Sequence, residues 1–468
     1  MPQRRRPAPQ APRPDDRSFL SLGVPAKLTE ILAREGVTDP YPIQEATLPA
    51  AMAGRDVLGR GRTGSGKTYA FVLPVVTRLA AAPAPRVPKR PRALILAPTR
   101  ELATQIDTVL APLAQALSLR TMTVFGGVSA GRQISQLRSG VDIVVACPGR
   151  LQDHALHGHV DLGGIEITVI DEADHLADLG FLPVVRRLLD RTPRSGQRLL
   201  FSATLDANVD TIVQHYLNHP VTHSVEATIG VSAATSHHVL HGPQDDKFGI
   251  LVELTAVRER SIVFTRTKRG AKTLTRRLVA AGVPAVELHG NLAQNARDRN
   301  LQAFTTGTVT TLVATDIAAR GIDVADVRLV IHADPPAEHK AYVHRSGRTA
   351  RAGNTGTVVS LTTDAQLPEV QRLAQKAGVR VITTRVHTGH PLLAKLAPGA
   401  RLPNLVPATP AMEPAMESGH RPTSGGAITR GQRSTSASAR AATAHTDRPG
   451  TSAAAFSARS QVGRRRGR

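Results

Sequence analysis

Seven short apolar runs, rich in Val, Ile and Leu, recur through the central part of the chain. They lie at 93–97, 142–146, 167–170, 199–202, 261–264, 311–315 and 328–332. None alternates apolar with polar positions, a pattern typical of strands buried on both faces of a parallel sheet. Helix-like segments separate the runs, so the pattern predicts an α/β architecture.

A polar segment that bears Gly, Arg, Thr or carboxylates follows each apolar run. "PTRELA" follows the first run, "CPGR" the second and "DEAD" the third, and the later runs behave alike. The carboxyl ends of parallel strands form the ligand-binding edge of an open α/β sheet. The repetition therefore predicts that functional residues gather at this edge.

The apolar runs fall into two groups. Between the fourth and fifth runs, residues 223–238 are small, polar and β-branched and lack helical periodicity. We therefore predict one α/β domain at 18–222, a linker at 223–238 and a second α/β domain at 239–385. The flanking residues 1–17 and 386–468 carry few apolar side chains, which predicts disorder because little burial offsets the entropy of ordering them.

Positive charge is concentrated at the two ends. The chain has 59 Lys and Arg against 37 Asp and Glu, a formal net charge of +22. Residues 1–17 contribute +3, and residues 386–468, with 12 Lys and Arg against 3 acidic residues, contribute +9. Basic ends of this kind favour a polyanionic partner, although a general richness in Ala, Arg, Gly and Pro also explains part of the Arg content.

The chain contains one cysteine, Cys147. This excludes an intramolecular disulfide and a thiolate zinc cluster, and it fits a reducing compartment. No stretch approaches the ~18 uninterrupted apolar residues of a membrane span, and the Arg- and Pro-rich start is unlike a signal peptide. These features predict a soluble cytoplasmic protein without a membrane partner.

The strongest local motif is "GRTGSGKT" at 61–68, which matches G-x-x-x-x-G-K-[ST]. It follows the apolar "DVLG" and precedes a helix-like segment, which is the context that a phosphate-binding loop requires. The residues predicted to bind the nucleotide here are Gly64, Ser65, Gly66, Lys67 and Thr68. Lys67 is expected to reach the β and γ phosphates, and the Thr68 hydroxyl to ligate Mg²⁺. A flexible glycine loop without a ligand is the alternative.

The stretch "TVIDEAD", residues 168–174, places Asp171, Glu172 and Asp174 where a buried strand ends. Like charges this close raise one another's pKa and cost solvation free energy. An acidic first turn of the next helix is one explanation, because the helix dipole favours anions there. With a nucleotide at this edge, Asp171 would hold Mg²⁺ and Glu172 would orient and deprotonate the attacking water.

The P-loop and "DEAD" on one chain resemble a DEAD-box ATP-dependent RNA helicase of superfamily 2. Further motifs follow in the family's order, namely "PIQ" (42–44), "PTRELA" (98–103), the glycine pair 126–127, "PGR" (148–150), "SAT" (202–204), "HGNLAQNAR" (289–297), "TDIAARGID" (315–323) and "HRSGRTAR" (344–351). The resemblance covers residues 18–385 and implies an α/β fold with two tandem RecA-like parallel-sheet domains and disordered basic tails. The general shape indicates the bacterial RhlE-like branch.

The resemblance also implies roles at the nucleotide. Gln44 is expected to read the adenine edge, with which an amide side chain can pair. Asp323 is expected to contact the ribose. Arg348 and Arg351 are expected to act as arginine fingers from the second domain. Because such guanidinium groups arrive only when the domains close, closure would gate hydrolysis.

Coupling and RNA-binding residues are carried over in the same way. Ser202, Thr204 and Asp174 are implied to link the hydrolysis site to bound RNA. RNA contacts are implied for Thr99, Arg100, Gly127, Gly149 and Arg150 in the first domain, and for Gln294, Arg297, Thr315 and Gly321 in the second. Backbone amides and guanidinium groups suit phosphates, so binding without sequence specificity is expected. With 13 Phe and Tyr and no Trp, a base-stacking platform is not expected.

Several positions depart from the family's common residues. Val37 replaces an aromatic residue, which predicts weaker adenine stacking, and Tyr41 stands where Thr is usual. Gly61 replaces Ala, and Cys147 replaces Thr, which removes one expected hydroxyl contact to RNA. Further departures are Asn291, Ser346 and Ala350.

The expected function is that of an RNA-dependent ATPase that unwinds or remodels short RNA duplexes and ribonucleoproteins with ATP and Mg²⁺. A monomer is expected, with ribosome-assembly or RNA-decay complexes as partners. One alternative is a related DNA translocase, which would share the ATP site. Another is an ATP-independent RNA-binding or annealing protein in which the basic tails bind RNA.

Overall fold

In the computed structural model, each half of the chain builds one parallel β-sheet covered by helices. The structure describes residues 18–61, 64–224, 235–319, 324, 326–350 and 354–402. All of these residues belong to one compact unit of the chain.

The first sheet has seven strands, all paired in parallel, in the order β3-β4-β2-β5-β6-β1-β7. These strands are β1 (Val57–Arg60), β2 (Ala93–Leu96), β3 (Thr121–Val124), β4 (Ile143–Ala146), β5 (Ile167–Ile170), β6 (Gln197–Ser202) and β7 (Val221–Ser224). Its helices are α1 (Ala26–Arg34), α2 (Pro42–Met52), α3 (Lys67–Ala81), α4 (Arg100–Ala116), α5 (Ala130–Ser139), α6 (Pro148–Leu156), α7 (Ala173–Asp178), α8 (Leu182–Leu189) and α9 (Ala207–Tyr216).

The second sheet also has seven parallel strands, in the order β10-β11-β9-β12-β13-β8-β14. These strands are β8 (Thr235–Gly242), β9 (Arg260–Thr265), β10 (Ala285–Leu288), β11 (Thr311–Thr315), β12 (Val327–His332), β13 (Gly356–Thr363) and β14 (Ile382–Arg385). Its helices are α10 (Asp246–Thr255), α11 (Lys268–Ala280), α12 (Gln294–Thr305), α13 (Asp316–Ala319), α14 (His339–Ser346), α15 (Leu367–Lys376) and α16 (Pro391–Leu396). When the strands of each sheet are numbered from one, both sheets have the order 3-4-2-5-6-1-7.

Each central strand supplies side chains to two separate cores. In β2, Ala93 and Ile95 join the core on one face of the first sheet, while Leu94 and Leu96 join the core on the other. β9 divides in the same way, with Val263 on one face and Phe264 on the other. Because both faces are covered, most positions are apolar, which explains the unalternating runs.

The seven apolar runs of the sequence are confirmed as strands β2, β4, β5, β6, β9, β11 and β12. β1 matches the apolar "DVLG" that was expected before the P-loop, and the other strands without such a run were not predicted. The edge strands β3, β7 and β14 expose one or both faces, and polar residues are accommodated there. Strands β8 and β13 lie inside the sheet but contain His, Ser and Thr, which obscured the apolar pattern.

Two predicted boundaries need correction. Strand β7 ends at Ser224 and β8 begins at Thr235, so both ends of the predicted linker 223–238 belong to strands, and 225–234 lies outside the described residues. The predicted tail 386–468 begins with ordered chain, because α16 follows β14 and packs against α10. Side chains of Val386 and Leu393 are buried in the second domain's core. A six-residue helix is too short for its periodicity to be recognised in the sequence.

Among the residues that the structure describes, no helix combines the length and apolar character that a membrane crossing requires.

The buried α16 predicts that residues after 385 stabilise the second domain. Leu393→Ala should lower the free energy of unfolding by about 2–4 kcal/mol, because it leaves a cavity in a core position with 0% exposure. Denaturant unfolding of the full chain measures this. Leu156→Ala removes the same atoms from a leucine that is 63% exposed and serves as the control. Equal effects of the two substitutions would contradict the packing of α16.

Candidate active site

The P-loop connects β1 to α3. Gly66 precedes the helix with φ 85°, a left-handed conformation that favours glycine. A Cβ at this position would lie 2.6 Å from Nε2 of Gln44. The Lys67 ammonium group is buried and donates a hydrogen bond to the Gly61 carbonyl oxygen at 2.9 Å. The lysine side chain therefore reaches back to the first residue of the motif.

The P-loop also contains a polar atom that the described residues leave unsatisfied. Ser65 Oγ is buried and has no hydrogen-bond partner among them. It lies just before the 15-residue helix α3, whose free N–H groups and dipole favour an anion. Thr68 lies in the first turn of the same helix. An unsatisfied hydroxyl at such a helix start fits a phosphate group.

Gln44 lies beside this loop and is completely buried. Its Nε2 donates to the Gly66 carbonyl oxygen at 2.7 Å, and its Oε1 accepts from the Tyr41 backbone N–H at 2.9 Å. Val37 packs against the first domain's core, whereas Tyr41 is 46% exposed and its ring adjoins Gly66. The amide thus connects the start of α2 to the P-loop. Its predicted contact with adenine stays a prediction.

Asp171 and Glu172 follow β5 at the carboxyl edge of the first sheet, and both are buried. Glu172 has φ 48° and ψ 54°, which is uncommon for a residue with a side chain and typical of functional sites. Its N–H donates to Asp171 Oδ1 at 2.9 Å. Its Oε2 lies 3.0 Å from Nδ1 of His175. Glu172 and Asp174 line one small cavity together with Lys67.

The two carboxylates have opposite pKa shifts. Burial raises the pKa of Asp171 to about 7, and the charge of Lys67 offsets this only in part. Burial alone would also raise the pKa of Glu172, but the hydrogen bond and charge of His175, with Lys67 and Arg348, bring it to about 2. Asp171 is therefore a buried carboxylate whose charge the described protein groups do not compensate. A divalent cation fits that position, since Mg²⁺ prefers carboxylate and hydroxyl oxygens.

Asp174 connects the "DEAD" segment to "SAT". Its Oδ2 accepts from the backbone N–H of Thr204 at 2.9 Å and from the Thr204 hydroxyl at 3.0 Å. Its own N–H donates to Ser202 Oγ at 3.2 Å. Burial alone would raise the pKa of Asp174, but the nearby charge of His344 and the hydrogen bond from the Thr204 hydroxyl lower it well below the usual range. The structure thus brings the three predicted coupling residues together.

The second domain completes this pocket. His344 Nε2, from α14, lies 3.7 Å from Asp174 Oδ2 in the first domain. Arg348 follows α14, is only 4% exposed, and lines a small cavity together with Lys67 and Glu172. The predicted guanidinium from the opposite domain is therefore next to the predicted catalytic carboxylate.

A second arginine in the same segment makes contacts within the second domain that the sequence did not predict. Arg345 is almost fully buried and forms two hydrogen bonds to Asp316, at 2.5 and 2.8 Å. It also donates to the Asp334 carbonyl oxygen at 2.7 Å and lies over the Phe264 ring. These contacts anchor α14 to β9 and α13, so Arg348 extends from a fixed helix.

Most predicted RNA-binding residues of the first domain lie near one another. Arg100 stacks over Phe125 and adjoins Gly127, at which a Cβ would collide with the guanidinium. Arg150 donates to the Val128 carbonyl oxygen at 3.3 Å. Thr99 caps α4 by accepting from the Leu102 N–H. Gly149 lies in the first turn of α6.

Cys147 and Thr315 lie at the carboxyl ends of their strands. Cys147 precedes α6 and makes no side-chain hydrogen bond to the helix, and burial raises the pKa of its thiol to about 12. Thr315 ends β11 and is mostly buried. The thiol therefore does not replace the capping hydroxyl that Thr would offer.

Two predicted RNA-binding residues of the second domain make contacts within the protein. Arg297 binds Glu101 of the first domain, with Nη2 and Nε 2.8 and 2.9 Å from Oε1. Gln294 Nε2 donates to Asp298 at 2.7 Å. Their contact with RNA stays a prediction, and Gly321, Asp323 and Arg351 lie outside the described residues. Sequence reasoning missed Glu101, although it lies within "PTRELA", because its partner is 196 positions away.

The fold and the site together define a protein with two RecA-like domains that both contribute residues to one pocket. The DEAD/DEAH box helicase family matches residues 41–212, and the helicase conserved C-terminal domain matches residues 246–353. The chain belongs to the DEAD/DEAH box helicase family.

Among curated relatives, DEAD-box ATP-dependent RNA helicase 28 of Oryza sativa is 40% identical over 367 residues, which cover 77% of this chain and 46% of that protein. ATP-dependent RNA helicase RhlB of Xanthomonas oryzae is 39% identical over 392 residues, which cover 81% of this chain and 68% of that protein. The chain thus spans about half to two thirds of the length of these relatives. The predicted RhlE-like branch stays a prediction.

Among solved structures, S. cerevisiae Dbp5 bound to RNA and ADP BeF3 is 28% identical with a TM-score of 0.72. The match covers 81% of this chain and 100% of that one. It extends over both domains, so the predicted tandem RecA-like fold is confirmed.

The opposite pKa shifts predict opposite effects of two isosteric substitutions on the nucleotide-free protein. The raised pKa of Asp171, about 7 against 3.8, makes stability fall as pH rises between those values. Asp171→Asn should therefore raise the free energy of unfolding at pH 8, by up to about 4 kcal/mol, and by less at pH 5.

Glu172→Gln is the matched control. The lowered pKa of Glu172, about 2 against 4.5, contributes stability that is present above pH 4.5 and lost as pH falls toward 2. Glu172→Gln should therefore lower the free energy of unfolding at pH 8. Denaturant titrations at both pH values measure the shifts, and a common sign for the two variants would contradict this account.

Proposed function

We propose that this protein is an RNA-dependent ATPase that locally unwinds or remodels short RNA duplexes and ribonucleoproteins. It binds RNA through the sugar-phosphate backbone without sequence specificity. The observation that supports this most strongly is the pocket between the domains, in which Arg348 lies beside Lys67 and Glu172. An enzyme with such a pocket is active only when both domains meet.

We propose ATP with Mg²⁺ as the cofactors. The Lys67 ammonium group, now bound to the Gly61 carbonyl oxygen, would exchange that partner for phosphate oxygens. Thr68 and Asp171 would hold Mg²⁺, which neutralises charge on the phosphates when bound. The unsatisfied Ser65 hydroxyl and the raised pKa of Asp171 support this assignment.

Glu172 is best suited to orient the attacking water. With a pKa of about 2 it is ionised at neutral pH and accepts a hydrogen bond from water, but it is a weak proton acceptor. Arg348 supplies positive charge where negative charge grows in the transition state. Asp174 links this pocket to Thr204 and to His344 of the second domain, so domain closure and hydrolysis are coupled.

RNA is the proposed activator of closure. Arg100, Gly127 and Arg150 offer cationic and backbone groups at one surface of the first domain, and Arg297 joins that surface from the second. The relative Dbp5, matched over both domains, was solved with RNA and ADP BeF3. We propose ribosome-assembly or RNA-decay complexes as partners, and a monomeric, cytoplasmic protein, from the sequence features alone.

The proposed hydrolysis site predicts a specific pattern of ATPase activity. Wild-type turnover should rise on addition of single-stranded RNA, and Glu172→Gln should lose this turnover while retaining nucleotide binding. Arg348→Ala should reduce turnover at least 10²-fold, because transition-state charge loses its partner. Glu30→Gln makes the same chemical change as Glu172→Gln at an exposed position, so it serves as the control for that variant. Full RNA-stimulated turnover by Arg348→Ala would exclude the two-domain site.

The proposed RNA surface makes a second prediction. Arg100→Ala should raise the RNA concentration for half-maximal ATPase stimulation several-fold and reduce the slope of log affinity against log salt by about 1. Arg138→Ala, at an exposed position in α5, is the matched control. Equal stimulation of the wild type by single-stranded DNA and RNA would favour a DNA translocase instead.

A further inference from the structure

One ion pair between the domains lies outside the motifs described above. Lys340 of α14 extends its ammonium group to Asp206, which precedes α9 in the first domain, with 2.8 Å between Nζ and Oδ2. The two residues are 134 positions apart. Their side chains are only 26% and 21% exposed, so the pair is largely shielded from solvent.

The two oxygens of Asp206 have separate partners. Oδ1 caps α9 by accepting from the backbone N–H groups of Asn208 and Val209, at 3.1 and 3.0 Å. Oδ2 binds Lys340. The cap therefore holds the carboxylate in a fixed orientation, and the oxygen that points away from the helix is available to the other domain. A pre-oriented acceptor loses little entropy when the pair forms.

Charge on both sides favours the pair. Burial alone would raise the pKa of Asp206, but the hydrogen bond from Lys340 lowers it below the usual value. The same hydrogen bond raises the pKa of Lys340, and the charges of Asp178 and Asp174 act in the same direction. The ammonium group of the second domain is thus favoured by negative charges of the first, so both partners remain charged at neutral pH.

In the sequence, each residue of the pair also lies within a few positions of residues at the proposed hydrolysis pocket. Asp206 follows Thr204 by two residues, and Thr204 binds Asp174. Lys340 precedes His344 by four residues, one turn of α14, and Arg348 by eight. Holding Lys340 against the first domain therefore restrains the helix that carries His344 and leads to Arg348.

We propose that Asp206 and Lys340 form an interdomain latch that stabilises the closed state and positions Arg348 beside Glu172. Both are positioning residues, because neither lines the pocket. The proposal rests on the proposed function, in which closure activates hydrolysis. An interaction made only in the closed state shifts the domain equilibrium toward closure by its own free energy. Nucleotide and RNA, which also favour closure, then bind more cooperatively.

The test compares RNA affinity with and without a non-hydrolysable ATP analogue, AMP-PNP, in the full chain. In the wild type, AMP-PNP should tighten RNA binding, and the ratio of the two affinities reports closure. Lys340→Met and Asp206→Asn should each reduce this ratio by roughly three- to tenfold, the range of a partly buried, charge-assisted hydrogen bond. RNA affinity without nucleotide should not change.

Three variants make the test specific. Asp206→Asn retains the Oδ1 cap of α9 and removes only the charged oxygen, so loss of the helix cap does not confound it. Lys340→Arg keeps the charge and should retain most of the ratio. Lys376→Met removes the same charge from an exposed position in α15 and should match the wild type.

The double variant Asp206→Asn/Lys340→Met should reduce the affinity ratio no further than either single variant does, since both substitutions remove the same interaction. If Lys340→Met keeps the wild-type ratio, or if the losses of the two single variants add in the double variant, the latch is wrong. The proposed ATPase function would not be affected by that result. If the wild type shows neither RNA-stimulated ATPase nor any effect of AMP-PNP on RNA affinity, the proposed function and the latch both fail.

Discussion

The buried carboxylates at the end of β5 are the constraint on which the site depends. Asp171, Glu172 and Asp174 are all at most 7% exposed, and burying three like charges together is unfavourable without positive partners. The first domain supplies Lys67 and His175, and the second supplies Arg348 and His344. The compensation is unequal, since Glu172 and Asp174 are held ionised while the pKa of Asp171 is raised. The ionised state of these carboxylates therefore depends on positive groups from both domains.

Positive groups from the second domain reach the first at several separate places. Arg348 and His344 approach the carboxylates, Lys340 binds Asp206, and Arg297 binds Glu101. Each contact joins an acidic first-domain residue to a basic second-domain residue. Charge complementarity of this kind selects one relative orientation of the domains, because like-charge alternatives are costly. Arg345 strengthens that selection from within the second domain by anchoring α14 to Asp316.

The repeated strand order explains how two similar domains perform different tasks. Both sheets have the order 3-4-2-5-6-1-7, so both present loops at the carboxyl edges of corresponding strands. The loop after β1 in the first sheet carries the P-loop lysine, Lys67. The second domain instead contributes arginines from the segment around α14. The same topology thus places Lys67 of one domain and Arg348 of the other at a common pocket.

The sequence by itself determined seven of the central strands, because burial on both faces imposes a local apolar pattern. It also revealed the P-loop motif and the acidic segment after β5, which are local patterns too. Edge strands such as β14, the helix α16 and the pairs Arg297–Glu101 and Lys340–Asp206 were decided only by the tertiary structure. Their partners lie far apart in the chain, and no local periodicity encodes a contact across 134 or 196 positions. The opposite pKa shifts of Asp171 and Glu172 likewise depend on burial and on charges from distant segments, although the two residues are adjacent.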